Sequence, residues 1–304
     1  MPSSAPTLTD LALAPLRLPL RLLGTLTEPA RGDLRRQVRR SLGVPPEPVA
    51  PVSDPGEAFL PPGSVARRVH GDLPSMVIGG LSALLLQSLH PLAMAGVADH
   101  SNYREDAVGR LRRTASFVGY TTFGTVDQAE RAIEQVRQVH RRVHGVAPDG
   151  RPYSADDPDL VTWIHVAEIT SFLASCQRFG PRPLSAVERD AYWAGTATVA
   201  RALGAEWVPE TADQATTYLG RVRPILYAGP QARAARDFLL RGVARRPNDR
   251  AAYAVIVAAA VTLLPGWARA ELGLPMPPLV DPLLVTPVAR LFCGGLRWAV
   301  APPT

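Results

Sequence analysis

Histidines have the widest chemical repertoire in this chain, and they are unevenly spread. Five of the six lie between His70 and His144, and the sixth, His165, follows closely. His140 and His144 are four residues apart, so on a helix both imidazoles would leave from one face. His165 and Glu168, three apart, would also share a face. Two such helices running antiparallel would gather three imidazoles and a carboxylate, a donor set suited to iron or zinc. The same spacings equally suit a plain core, with His165 and Glu168 satisfying each other and His144 solvated beside Arg141 and Arg142.

A second group is Arg110-Leu111-Arg112-Arg113-Thr114, followed by Ala115, Phe117 and Gly119. Arg110, Arg113 and Thr114 share a helical face, and the positions beyond are apolar or small. A guanidinium facing an apolar interior needs an anion, because a buried charge must be paired. A carboxylate-bearing cofactor would serve, and so would Glu105 or Asp106 nearby. The run from His90-Pro91 to His100-Ser101 holds Ala93, Ala95 and Gly96, small enough to admit a helix or something flat. Motifs of the common enzyme classes are missing: there is no GxSxG, Walker A loop, GxGxxG, HExxH or CxxC.

The elements that must position these residues read as helices almost throughout. The first 43 residues form an N-terminal extension with two short helical patterns. From Val44 to Gly63 prolines are too dense for helix or central strand, which predicts an extended connector. The main domain then starts near Ser64, a candidate cap. Helices are expected around Leu81–Leu89, Leu92–Val97 and Asp106–Tyr120. Thr125 opens another, with Asp127, Glu130 and Glu134 early, Arg137, Arg141 and Arg142 late, and Gly145 as terminator. Asp156 or Asp157 caps a helix that reaches Gly180, and Ser185 with Glu188 forms a capping box for one ending near Leu203. Further helices fall near residues 231–241, 250–264 and 285–300. Strand signals are scarce. The expectation is all-α: residues 1–63 as extension and connector, and 64–304 as one large helical domain.

Composition narrows the function. The chain has 304 residues, 46% of them apolar and 20% charged, an ordinary globular balance. Its net charge of +6 comes from arginines scattered along helices rather than from a basic stripe with aromatics, which argues against a nucleic-acid partner. Two cysteines, Cys176 and Cys293, show no metal-type pairing, as expected of a reduced, cytoplasmic protein. Met76–Ala98 is long enough to cross a bilayer but carries Gln87, His90 and Pro91, so buried core helices explain it better. The stretch Leu11–Leu26, with Arg17 and Arg21, is the place where peripheral membrane contact would occur.

Taken in order, several runs resemble one family. They are Ser88-Leu89-His90-Pro91 with Ala95-Gly96-Val97, Arg110-x-x-Arg113-Thr114, Thr121-Thr122-Phe123-Gly124-Thr125, Val139-His140-x-x-Val143-x-Gly145, Asp149-Gly150-Arg151-Pro152-Tyr153, and Trp163-Ile164-His165-Val166-Ala167-Glu168. The sequence is similar to the MpaB-type oxygenases, which include the latex-clearing proteins, well over residues 65–204 and loosely beyond. The resemblance implies a partly globin-like helical core and a haem b cofactor. It also implies dioxygen and a hydrophobic, unsaturated small molecule as partners. Carried over, His140 is the axial iron ligand, with His144 the alternative, and Arg110, Arg113 and Thr114 lie near the haem. His140's other ring nitrogen is expected to donate to a carbonyl or carboxylate. Arg113 stands where latex-clearing members have lysine, and a guanidinium cannot lose its proton to ligate iron. No glutamate matches the catalytic one of rubber cleavage; Asp99 and His100 are the nearest polar residues. The competing expectations are a haem-free metal site that includes His165 and Glu168, and a non-catalytic helical binding protein.

Overall fold

A computed structural model describes residues 57–241 and 247–300; the two N-terminal helical patterns and most of the proline-rich connector fall outside these residues. The fold is all-α, twelve helices and one two-stranded hairpin among the described residues. The helices are α1 (Val65–His70), α2 (Leu73–Gln87), α3 (Pro91–His100), α4 (Ala107–Phe123), α5 (Val126–His140), α6 (Pro158–Phe179), α7 (Ala186–Leu203), α8 (Ala212–Val222), α9 (Pro230–Arg241), α10 (Pro247–Leu263), α11 (Gly266–Glu271) and α12 (Thr286–Val300). The hairpin, β1 (His144–Val146) and β2 (Pro152–Ser154), lies between α5 and α6.

Local chemistry fixes most helix starts. The side chains of Ser64, Asp72, Asp106, Thr125, Asp157, Ser185 and Thr211 each accept from the first-turn backbone. Each satisfies a donor that the helix itself cannot. Thr125 with Gln128, and Ser185 with Glu188, close full capping boxes. The short helix that Ser64 was expected to cap is α1, whereas α8 and α11 were not anticipated as separate helices.

The centre of the fold is the pairing of α2 with α6. Gly79 permits it: a Cβ there would stand 3.1 Å from the Phe172 Cα and 3.1 Å from the Ser175 Cβ. The two backbones are stitched by Ser175 Oγ donating to Ser75 O at 2.6 Å, Gln87 Nε2 to Ile164 O at 3.2 Å, and Trp163 Nε1 to Gln87 O at 3.3 Å. Around this pair lie the buried Leu85, Leu86, Leu89, Trp163, Val166 and Phe172. The apolar run from Met76 to Ala98 is not one rod. It breaks after Gln87, and α3 leaves at 105° to α2, with Pro91 at its first position. No single helix among the described residues is long and apolar enough to cross a membrane.

One expected helix is shorter than its charge pattern suggested. α5 stops at His140, and Gly145 is not its terminator but the middle of β1, paired with Tyr153. The reason is steric, since a Cβ on Gly145 would lie 2.7 Å from the Tyr153 hydroxyl. Gly150, at φ +85°, lies in the turn between the strands, a conformation that side-chain-bearing residues avoid.

Candidate functional site

The helix end at His140 decides the geometry of the first histidine pair. His144 sits on β1, exposed, so the two imidazoles do not share a helical face. α5 packs on α4 and α7 rather than lying along α6, because the hairpin occupies the connection. The expected gathering of His140, His144, His165 and Glu168 is therefore not formed. Among the described residues, no three His, Cys, Asp or Glu side chains are placed to hold a bare metal ion.

His140 is half-buried at the end of α5, and its Nδ1 is sealed from solvent without a hydrogen-bond partner. Neither ring nitrogen has the carbonyl or carboxylate acceptor expected for the one that does not hold the cofactor. Burial lowers the imidazole's pKa, and the Asp156 carboxylate partly opposes the shift. The ring is thus held neutral, the form that can coordinate a metal.

The arginine cluster divides. Arg110 is half-buried, and its Nη1 donates to Ser101 Oγ at 2.6 Å. Burial, and then the positive charge of Arg113, lower its pKa. Arg113 instead points outward and pairs with Asp106 at 3.2 Å. Thr114 is exposed, so of the three only Arg110 is withdrawn from solvent, and then only in part. Two further polar residues are already engaged. Tyr153 donates to Asp99 Oδ2 at 2.6 Å, and His100 Nε2 stands 3.2 Å from both the Tyr153 hydroxyl and the His144 carbonyl. The small residues of α3 accommodate this hairpin: Gly96 faces Tyr153 and Val143.

A second polar group lies deeper. His165 is buried edge-on to Trp193, with 6.3 Å between ring centroids, and its Nε2 has no partner. Glu168, one turn on, forms no hydrogen bond with His165, so the expected mutual satisfaction does not occur. Burial alone pushes the Glu168 carboxyl up to about 7. Nearby, His70 bridges Thr122 Oγ1 at 2.7 Å and the Tyr192 hydroxyl at 2.8 Å. Burial lowers His70 to about 4, and lowers His165 to about 3 with help from His70's charge. Tyr192 is raised well above its usual value by burial and then by Glu168. Sequence reasoning had passed over His70, Thr122 and Tyr192. They come from α1, α4 and α7, and no spacing along the chain announces that meeting.

The interior between α1, α4, α6 and α7 therefore holds neutral imidazoles and a protonatable carboxyl. A half-buried cation on α4 is hydrogen-bonded to a neutral hydroxyl, and an imidazole at the end of α5 has an unsatisfied nitrogen. Such groups can bind a metal-centred cofactor, pair with its carboxylate and hold a proton near neutral pH. No curated protein and no solved structure is significantly similar to the chain. Residues 67–298, however, match the family model described as the catalytic domain of ER-bound oxygenase mpaB/B' and rubber oxygenase, and the chain belongs to that family.

Proposed function

We propose that this chain is a haem b-dependent oxygenase that uses dioxygen on a hydrophobic, unsaturated small molecule. Residues 64–304 would form its catalytic domain. The observation that carries the reading is the buried, unpartnered Nδ1 of His140, at the end of a helix where the family motif lies. A buried ring nitrogen left without a partner is costly, and a ligand bound at this imidazole offers a way to relieve that cost. Porphyrin brings four nitrogens of its own to iron, so one protein imidazole suffices. The haem-free metal reading lacks comparable support, since among the described residues no three donor side chains converge.

When bound, haem would supply an iron centre able to take up dioxygen for attack on a carbon–carbon double bond. The rest falls to the chain. His140 would hold the cofactor. Arg110, half-buried and hydrogen-bonded to Ser101, would pair with a cofactor carboxylate. Glu168 would carry a proton on its carboxyl at neutral pH, the role of a general acid or base. Arg113 would stay outside, charged and tied to Asp106. Thr114, exposed on the face of Arg110, would line the approach. An unsaturated, lipophilic substrate accords with the rubber oxygenase members named in the family description.

The test is spectroscopic and then catalytic. Protein loaded with haem should show a Soret band at one haem per chain, and should consume dioxygen when given a lipophilic polyene. A chain that takes up no haem, or takes it up and consumes no dioxygen with any such polyene, would sink the proposal.

A further inference from the structure

The segment leading into α12 has its apolar residues reversed. On its inner side, Val285, Ala289 and Cys293 pack against Ile78 of α2 and Ile256 of α10. Its larger apolar side chains face out: Leu279 is 68% exposed and Leu283 73%, with Val280, Leu284 and Leu291 also exposed. Burial is what leucine ordinarily gains from folding, and an isolated exposed leucine needs no explanation. Five large apolar residues exposed within thirteen positions mark a surface built for contact.

We propose that this face, Leu279 to Leu291, is a docking surface for a lipid bilayer with anionic headgroups. Two features select lipid over protein. No exposed side chain from position 277 to 288 carries a hydrogen-bonding group, and the four prolines there have no amide N–H. A protein interface needs about one hydrogen bond per 100–200 Å², which the side chains of this stretch cannot supply. Hydrocarbon asks for none. Charge points the same way. Asp281, the one acid in the segment, turns inward onto Arg178, and Thr286 donates to it at 2.8 Å. Arg290 stays exposed at the edge, with its Nε on the Arg178 carbonyl. The segment thus presents leucines to the acyl region and a cation at headgroup level, and between Leu279 and Leu291 it exposes no carboxylate to repel an anionic membrane.

This inference is independent of the haem reading and of any lipid contact through the N-terminus. The experiment is vesicle flotation of the full chain, using phosphatidylcholine alone and phosphatidylcholine mixed with phosphatidylglycerol. Wild type should float with the mixed vesicles. The double variant Leu279→Ser, Leu283→Ser should bind about tenfold more weakly or worse, since each leucine forfeits its transfer out of water. Arg290→Glu should lose the preference for phosphatidylglycerol. Both leucines are too exposed to be needed for folding, and an unchanged circular dichroism melt should confirm that. Wild type that does not float, or a double variant that floats as well as wild type, overturns the proposal. So does a wild-type dimer that the double variant dissolves without any effect on vesicles, because the face then belongs to a second copy.

Discussion

The imidazole of His70 and the phenol of Tyr192 lie 2.8 Å apart, with Thr122 on the other ring nitrogen. This chain ties α1, α4 and α7 around a carboxyl, Glu168, that has no partner of its own. Every titratable group in the cluster is pushed towards its neutral form by burial. Desolvation governs here, not ion pairing.

A pH dependence follows. Glu168, raised to about 7, binds its proton more tightly folded than unfolded, so its effect on stability falls as pH rises towards 7 and beyond. His70 and His165, at about 4 and 3, bind protons more weakly folded than unfolded. Their effect is a loss of stability as pH drops below the ordinary histidine value of about 6.5. Between about pH 4.5 and 6.5 the two effects oppose each other, and near pH 7 the Glu168 effect is the one that remains. Glu168→Gln removes only that effect. Its stability relative to wild type should improve by about 1 kcal/mol between pH 6 and pH 8, measured by urea unfolding at the two values. A difference that stays constant across that range would mean Glu168 ionises normally.

The proposed ligand role of His140 can be told from one at His144 by haem retention. His140→Ala should abolish haem retention, whereas His144→Ala, on an exposed strand position, should keep most of it. Haem content per chain after reconstitution and gel filtration gives the answer. Equal content in wild type and the His140 variant would remove His140 as ligand, and the reverse pattern would transfer the role to His144.

Arg110 is a half-buried cation hydrogen-bonded to the Ser101 hydroxyl. If it pairs with a cofactor carboxylate, that charged hydrogen bond is worth about 1.5–3 kcal/mol, and Arg110→Ala should weaken haem affinity by roughly one to two decades. Arg113→Ala, at a surface pair with Asp106, should leave affinity within about twofold, since exposed ion pairs contribute little. Similar losses in both variants would argue against a special role for Arg110.

The capped helices were legible because a cap is a local event. Thr125, Asp157 and Ser185 each act within one turn, and the sequence shows the whole interaction. The end of α5 was not legible. Its charges continue past His140 as if the helix did, but Gly145 must admit the Tyr153 ring from a strand that pairs across a turn. The polar cluster was half legible for the same reason. His165 and Glu168 share one helix, so their spacing singled them out, while His70 and Tyr192 reach them only through helix packing. Arg110 and Arg113 looked equivalent on one face; packing against the residues around Ser101 distinguished them.

The last prediction concerns whether a haem iron, if held by His140 as proposed, would keep a position open for dioxygen. An oxygenase needs that position open, and a swinging histidine is the main threat to it. Two candidates are held elsewhere. His90 caps α3, its Nδ1 accepting from Ala93 N at 3.5 Å, and its ring lies against Trp163 with 5.9 Å between centroids. His100 is held at one nitrogen by Tyr153 and the His144 carbonyl. Lysine is not at issue, because Arg113 occupies that motif position and guanidinium stays protonated. His165 is the remaining threat, since its Nε2 is free, but it sits edge-on to Trp193 in the packed core, where a move would disturb α7. Ferric protein should therefore be five-coordinate or water-ligated, and the ferrous form should bind carbon monoxide readily. A low-spin, bis-histidine spectrum that resists carbon monoxide would show the position closed. If that spectrum disappeared in His165→Ala, the closing ligand would be His165, and the site would suit electron transfer better than oxygenation.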